Sequence, residues 1–485
     1  MCGIVGHVST SPVNQQVYDS LLLLQHRGQD STGIATAEGK FLHMVKAKGQ
    51  VREAYRTRDM RSLAGNVGLG HVRYATSGSA KREDEVQPFY VNAPYGLVLV
   101  HNGNLTNTRE LTDELFRIDR RHLNSSSDTE ILLNVLANAL QDSIHGSELT
   151  TDEIFDAVAT LHNRVEGSYA AITLIAGYGL LAFRDPYGIR PLVLGRRVDE
   201  NGREEWVVAS ESLVLDSGGY DIVRDVRPGE AIFISYAGEM SSKQVVETKA
   251  LAPCSFEYVY LARPDSVLDG ISVYDTRLRM GEKLARRVVE EISLDEIDVV
   301  MPIPDSARPA AMQLAQVLNA PYREGFYKNR YIGRTFIMPG QKVRKKSVRQ
   351  KLNALPREFA GKNVLLIDDS IVRGTTSKEI VEMARAAGAK KVFFASAAPP
   401  VRYPHVYGIN MPTRGELIAS GRTIEEVSSV IGADKVIFST VEDLFESITA
   451  GSDITQLDMS CFTGECVTGT VTPEYLAWLE TNHTS

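Results

Sequence analysis

VLLIDDSIVRGTT, residues 364–376, runs from four apolar residues through two adjacent acids into a turn of hydroxyl side chains around one glycine. Four consecutive apolar residues bounded by polar ones read as a strand buried on both faces, the kind found in parallel sheets. Asp368 and Asp369 then fall at the strand's C-terminal edge, where open α/β sheets place their ligands. The turn from Ser370 offers backbone N–H groups, Ser and Thr hydroxyls and a helix N-terminus, which together cradle a phosphate. The G-x-x-x-x-G-K-[ST] order of a Walker A loop is absent, and two vicinal acids before a phosphate turn suit a ribose with neighbouring hydroxyls.

The flanks carry the same rhythm. DVVMPIP (298–304) reads as a strand and SARPAAMQLAQVL (306–318) as a helix, while TSKEIVEMARAAGA (376–389) and KKVFFASAA (390–398) repeat the alternation. Strands and helices of these lengths predict a doubly wound, mostly parallel sheet. PIPDSARPAA (302–311) supplies a second strand-end loop, with Ser306 available to Mg2+ or a diphosphate, since Mg2+ prefers oxygen ligands shared with phosphates. YKNRYIGRTFIMP (327–339) is polar, aromatic and basic together, with Lys328 and Arg330 among its cations. The basic run KVRKKSVRQK (342–351) reads either as a solvated helical face or as part of a site for the anionic substrate or a nucleotide effector.

The front half differs. CGIVGHVS (2–9), VGLGHV (67–72), YGLVLVHNG (95–103), SYAAITLI (168–175) and WVVAS (206–210) read as strands. Helices are expected over 17–28, closed by Gly28, and near 107–118, 127–141 and 151–164. That pattern predicts sheets covered by helices: a first domain over 2–240, a second over 255–460 and a C-terminal extension over 461–485.

Cys2 stands immediately after the initiator. Once Met1 is removed, its thiol (pKa ~8.5) and the chain's own α-amine (pKa ~8) share one residue, which makes a nucleophile and a base without any other side chain. Asn102 and Gly103, expected in a turn after YGLVLVH, offer an amide donor and a close-approaching backbone N–H to a tetrahedral oxyanion. Arg73 suits a substrate carboxylate, and Asp128 a substrate ammonium. His71 and His101 read as structural histidines, because the terminal amine already fills the role of base.

Taken together, CGIVG, QHRGQDSTGIA (25–35), GLGHVRYATSG (68–78), VHNGNLTN (100–107) and SSSDTEILL (125–133) resemble the glutaminase domain of class II glutamine amidotransferases. The resemblance implies an Ntn-hydrolase-like αββα fold in which Cys2 forms a γ-glutamyl thioester and Asn102 and Gly103 make the oxyanion hole. It implies also that Arg73, Thr76 and Asp128 bind glutamine. VLLIDDSIVRGTT resembles the phosphoribosyl diphosphate signature of type I phosphoribosyltransferases. That implies that Asp368 and Asp369 hold the ribose hydroxyls, with Mg2+ nearby, and that Ser370, Val372, Arg373, Gly374, Thr375 and Thr376 bind the 5-phosphate. EYVYLARPDS (257–266), AAPPVRYPHVYGINMP (397–412) and ELIASGRT (416–423) extend the likeness across nearly the whole chain.

The two families joined imply glutamine-dependent amination of phosphoribosyl diphosphate, the entry to purine synthesis. Ammonia would pass through a closed channel, with Tyr258 as a candidate wall. Purine nucleotide inhibitors and a homo-oligomer, commonly a tetramer, are implied as well. The alternative is a class II amidotransferase making glucosamine 6-phosphate, asparagine or glutamate, and the back half argues against it. Some members carry an acidic propeptide and a [4Fe–4S] cluster. Neither is expected here, because Cys2 directly follows Met1, only Cys254, Cys461 and Cys466 remain, and His405 stands where the cluster pattern has cysteine.

Composition bounds these readings. A formal charge of −8 disfavours a nucleic-acid binder. Four cysteines in 485 residues make no disulfide framework, and no apolar run approaches the ~20 residues that span a membrane. A reducing cytoplasm is the expected setting.

Overall fold

The computed structural model describes residues 2–74, 85–329, 352–409, 411 and 413–482. Its front half stacks two antiparallel sheets. One runs in the order Asp221–Asp225, Val193–Val198, Glu204–Ala209, Cys2–Val8, Val67–Arg73, Ser31–Glu38 and Phe41–Lys48. The other runs Met240–Gln244, Glu230–Ser235, Gly179–Arg184, Gly167–Ile175, Leu97–Leu105 and Phe89–Val91. Side chains alternate along each strand, so Ile4, Val8, Leu69, Val98, Val100 and Ile172 meet between the sheets. Their neighbours Val5, Ile34 and Val72 turn outward to Val17 and Leu21 of the helix Asn14–Leu23. On the far side Leu97, Leu99 and Ala171 pack on the helices Asp128–Ser143 and Thr151–Arg164. The layers are helix, sheet, sheet, helix, as the first resemblance implies.

Two local expectations need correction. The helix expected over 17–28 ends at Leu23, and Gln25–Arg27 form a separate 3-10 turn, which aims the Arg27 side chain into the interior. Asn102 and Gly103 lie inside the strand Leu97–Leu105, paired with Ala170 and Tyr169, rather than in a turn beyond it. The long partner strand Gly167–Ile175 offers ladder bonds all the way to Leu105, and that pairing overrides the local turn preference of Asn-Gly.

The back half holds a parallel sheet in the order Val299–Pro302, Asn363–Asp368, Lys391–Ser396 and Lys435–Phe438. Both faces are covered. Leu365, Ile367 and Phe393 pack with Leu284 and Val288 of the helix Val273–Glu291 and Leu314 of Arg308–Leu318. Val364, Leu366 and Phe394 pack with Ile380 of Thr375–Ala386 and Val427 of Ile424–Ile431. This is why VLLI is apolar without alternation. Between the halves lies a buried π-helical turn, Glu257–Leu261. The last helix, Pro473–Asn482, reaches back to the front half, where Tyr475 Oη lies 3.4 Å from Asn104 Nδ2 and the Trp478 ring sits 4.3 Å from the Arg109 guanidinium. No helix among the described residues is long and apolar enough to cross a membrane.

Candidate active site

Cys2 opens its strand on the face turned toward the second sheet, in register with Arg73, and is buried. Its backbone N–H donates to Asn102 Oδ1 at 3.1 Å, and its thiol points at the Tyr74 carbonyl 3.9 Å away. Asn102 is fully buried, and its Nδ2 has no acceptor among the described residues. An unsatisfied buried donor costs about 1–3 kcal/mol, so the amide is held ready for an acceptor that arrives later. A developing oxyanion beside Cys2 is such an acceptor. Gly103 has φ +149°, and a Cβ there would collide with the Ser168 carbonyl, so glycine is required.

Arg73 Nη2 donates to Glu85 Oε2 at 2.7 Å, and Glu85 also accepts from Ser126 Oγ at 3.2 Å. Asp128 is the first residue of its helix, where a negative charge is favoured. Its Oδ2 accepts the Leu105 N–H at 3.2 Å and lies 3.9 Å from His101 Nδ1. Burial pushes His71 down to about 3, with Arg73 adding to the effect. Burial also lowers His101, against the pull of Asp128. Thr76 lies outside the described residues.

The second site forms at the C-terminal edge of the parallel sheet. Ser306 donates to Asp369 Oδ2, Ser370 Oγ donates to Asp369 Oδ1 at 2.7 Å, and the Asp369 N–H donates to Asp368 Oδ1 at 3.0 Å. Burial and the neighbouring Asp369 charge together push the Asp368 carboxyl well above the usual range. Gly374 has φ +72° and caps the helix that Thr375 and Thr376 begin, and a Cβ there would strike Ile418. The Ile418 N–H bonds the Val372 carbonyl at 3.0 Å, and Arg373 Nε lies 3.8 Å from Glu416. Lys328 Nζ pairs with Asp305 Oδ2 at 2.8 Å beside the 302–311 loop. Arg330 and the basic run 342–351 lie outside the described residues.

A buried polar network ties Cys2 to the 257 turn and to the 407 backbone. Arg27 donates from Nε to the Cys2 carbonyl at 2.9 Å and from Nη1 to Glu211 at 2.6 Å. It also makes a two-pronged pair with Glu257, at 2.7 and 3.0 Å. Arg190 shares Glu257 at 3.1 Å and donates from Nε to the Tyr407 carbonyl at 2.8 Å. Burial alone would raise Glu257, but Arg27 and Arg190 hold it below the usual carboxylate range. Tyr258 is fully buried, with its hydroxyl donating to the Leu268 carbonyl at 3.2 Å. Glu85, Glu211 and Glu257 are functional candidates that sequence reading missed. Only Glu257 carried a signal, an acid opening the otherwise apolar EYVYL.

Among the described residues one cluster has metal-ligand chemistry: Cys254, His405 and Asp458. Cys254 Sγ is 3.5 Å from His405 Nε2, which is 2.8 Å from Asp458 Oδ2. The Tyr407 N–H points at His405 Nδ1 from 3.2 Å, so Nδ1 accepts and the ring proton sits on Nε2, facing Asp458. A metal-bound histidine needs the opposite arrangement, with its second nitrogen donating. The trio fits a closed thiol, imidazole and carboxylate set. It does not supply the four thiolates of an iron–sulfur cluster.

Two family models match the chain, a glutamine amidotransferase domain over residues 71–217 and a phosphoribosyl transferase domain over 274–404. The chain is 56% identical over 480 residues to the amidophosphoribosyltransferase of Pasteurella multocida, covering 98% of this chain and 94% of that one. It is 53% identical to the amidophosphoribosyltransferase of Escherichia coli, over 99% of this chain and 95% of that one. The solved structure of a glutamine phosphoribosylpyrophosphate amidotransferase from B. subtilis, complexed with ADP and GMP, matches with TM-score 0.83 and 37% identity. That match covers 96% of this chain and 97% of the other.

Proposed function

This chain belongs to the amidophosphoribosyltransferases, and from that premise we propose how its residues divide the work. The reaction itself joins the amide nitrogen of glutamine to C1 of 5-phosphoribosyl 1-diphosphate, giving 5-phosphoribosylamine, glutamate and diphosphate, the first step of purine synthesis.

With Met1 removed, the Cys2 thiol gives its proton to the α-amine and attacks the glutamine side-chain carbonyl carbon. The oxyanion takes hydrogen bonds from Asn102 Nδ2 and the Gly103 N–H. Collapse expels ammonia, protonated by the same amine, and leaves a γ-glutamyl thioester that water hydrolyses to glutamate. Arg73, Thr76 and Asp128 hold the amino-acid end of glutamine. The observation that carries this reading is the buried Asn102 amide, with its oxygen bonded to the Cys2 nitrogen and its Nδ2 left without an acceptor.

Asp368 and Asp369 orient the ribose hydroxyls, and Ser370, Val372, Arg373, Gly374, Thr375 and Thr376 hold the 5-phosphate. Lys328 and Arg330 neutralise the diphosphate as ammonia attacks C1 and the C1–O bond breaks. Ser306, Asp368 and Asp369 offer the hard oxygen donors that suit Mg2+, which when bound with the diphosphate neutralises leaving-group charge. Tyr258 walls the path that keeps ammonia from protonation in bulk water. The proposed division is 2–240, 255–460 and 461–485, with the strand Met240–Gln244 closing the first unit. Purine nucleotide effectors are supported by the ADP and GMP of the B. subtilis relative, and a homotetramer and a cytoplasmic setting complete the proposal.

The test is covalent. An electrophilic glutamine analogue should label Cys2 and nothing else, as read by peptide mapping. Labelling at another cysteine, with Cys2 intact, overturns the assignment.

A further inference from the structure

We propose that Glu257 is a positioning residue for glutamine hydrolysis, holding the nucleophile and the oxyanion donors in register from outside the substrate pocket. The inference rests on the assignment of Cys2, Asn102 and Gly103 above and adds a residue that touches no substrate.

One carboxylate holds two arms. Through Arg27 it reaches the Cys2 carbonyl, the peptide group that sets the direction of the thiol. Through Arg190 it reaches the Tyr407 carbonyl, which also accepts from Ser168 Oγ at 2.9 Å. Ser168 pairs with Asn104 in the oxyanion strand, and its carbonyl is what forbids a side chain at Gly103. Gly408, next to Tyr407, has φ +96°, and a Cβ there would strike the Gly103 carbonyl. The 407–408 backbone is therefore a rear wall for the oxyanion donors, and Glu257 ties that wall to the nucleophile.

The same residue begins the turn that faces the acceptor site. Arg277 Nε donates to the Tyr258 carbonyl at 2.9 Å and Nη2 to the Ala262 carbonyl at 2.8 Å, and the Asp369 charge acts on Arg277. Glu257, Arg27 and Arg190 are all essentially sealed from solvent. Well-packed apolar side chains would stabilise such a place at least as well, so stability alone does not account for three buried charges. Geometry does: a displacement of ~1 Å at a reacting group costs ~10²-fold in rate.

The experiment compares Glu257→Gln, Glu257→Asp and Arg190→Lys in the full chain, measuring glutamine-dependent and ammonia-dependent synthesis and the thermal midpoint. Arg190→Lys keeps its charge beside Glu257 but cannot offer both guanidinium donors to Tyr407, so it decides the matter if the Glu257 variants do not fold. The expected result is a ~10²-fold fall in glutamine-dependent kcat for Glu257→Gln, with KM for glutamine within about twofold and the ammonia-dependent rate within about threefold. Glu257→Asp recovers part of the loss, and Arg190→Lys shows the same split on a smaller scale. Parallel loss of both activities that tracks the thermal midpoint, or no loss of glutamine-dependent kcat, overturns the proposal. Labelling of wild-type Cys2 by the glutamine analogue separates the two failures. If Cys2 labels and the split is absent, only Glu257 loses its role. If Cys2 does not label, the underlying site assignment fails.

Discussion

The Cys2 nitrogen lies 3.1 Å from Asn102 Oδ1, so the residue that begins the first strand fixes the orientation of an amide 100 positions along the chain. Asn102→Asp keeps the acceptor for Cys2 but removes the NH2 donor and adds a negative charge where an oxyanion would form. Glutamine-dependent kcat should fall ~10²–10³-fold, as it does when a single oxyanion donor is lost, while synthesis from ammonia persists. Equal rates with glutamine for wild type and variant would remove Asn102 from the oxyanion hole.

Cys2→Ala should abolish glutamine hydrolysis and leave synthesis from high external ammonia. On the proposed division of labour the thiol serves only to liberate ammonia, and 302–311 and 364–376 form the separate acceptor site. Protein retaining Met1, recognised by its intact mass, should show the same selective defect. A folded C2A protein that loses both activities equally contradicts the division of labour.

Asp368→Asn combined with Asp369→Asn should give the converse. If the pair orients the ribose as proposed, losing both carboxylates should misplace C1 and lower use of phosphoribosyl diphosphate with either nitrogen source. Basal thioester formation with glutamine should survive. The decisive measurement is ammonia-dependent diphosphate release, and a near-normal rate would dismiss the acidic pair.

His162 tests linkage away from both sites. Burial pushes it down to about 3, and its Nδ1 sits 2.7 Å from the Tyr169 hydroxyl. The unfolded chain takes up this proton below pH ~6.5 and the folded chain does not, so the unfolded state binds more protons there and stability rises with pH. This contribution is fully present above pH ~6.5 and is lost as pH falls toward the folded value, by ~1.4 kcal/mol per pH unit. His162→Gln should therefore show a shallower decline of denaturant-derived stability between about pH 6.5 and 4.5 than the parent, and identical slopes would show that His162 is not held neutral.

What the chain displays in advance is its local chemistry. The apolar run Val364–Ile367 announced a strand covered on both faces, and the acids after it fell at the sheet edge. The short apolar runs of the front half foretold sheets covered by helices, while the stacking of two sheets was expected only from the family resemblance. Asn102 and Gly103 were misplaced into a turn because Asn-Gly favours one locally, whereas strand pairing with Gly167–Ile175 is a distant contact that sequence windows do not register. Glu85, Glu211 and Glu257 escaped notice for a related reason. Glu85 and Glu211 are ordinary acids in sequence, and Glu257 stands out only by opening the apolar EYVYL. The importance of all three comes from burial against an arginine, Arg27 in two cases and Arg73 in the third. Only the Arg27–Glu257 pair waits for the halves to meet; Arg27–Glu211 and Arg73–Glu85 form within the front half.

The Arg27–Glu257 pair bears on how the enzyme is made. Cys2 and Arg27 leave the ribosome early, but Glu257 lies 230 residues after Arg27, a delay of ~10–50 s at common elongation rates. The Tyr407 carbonyl and the Tyr475 hydroxyl follow later still. A nascent chain thus carries its thiol for most of translation without the braces that aim it. On the proposed role of Glu257, half-built protein should not hydrolyse glutamine, and the first-made residue should become competent only when segments made later have closed behind it.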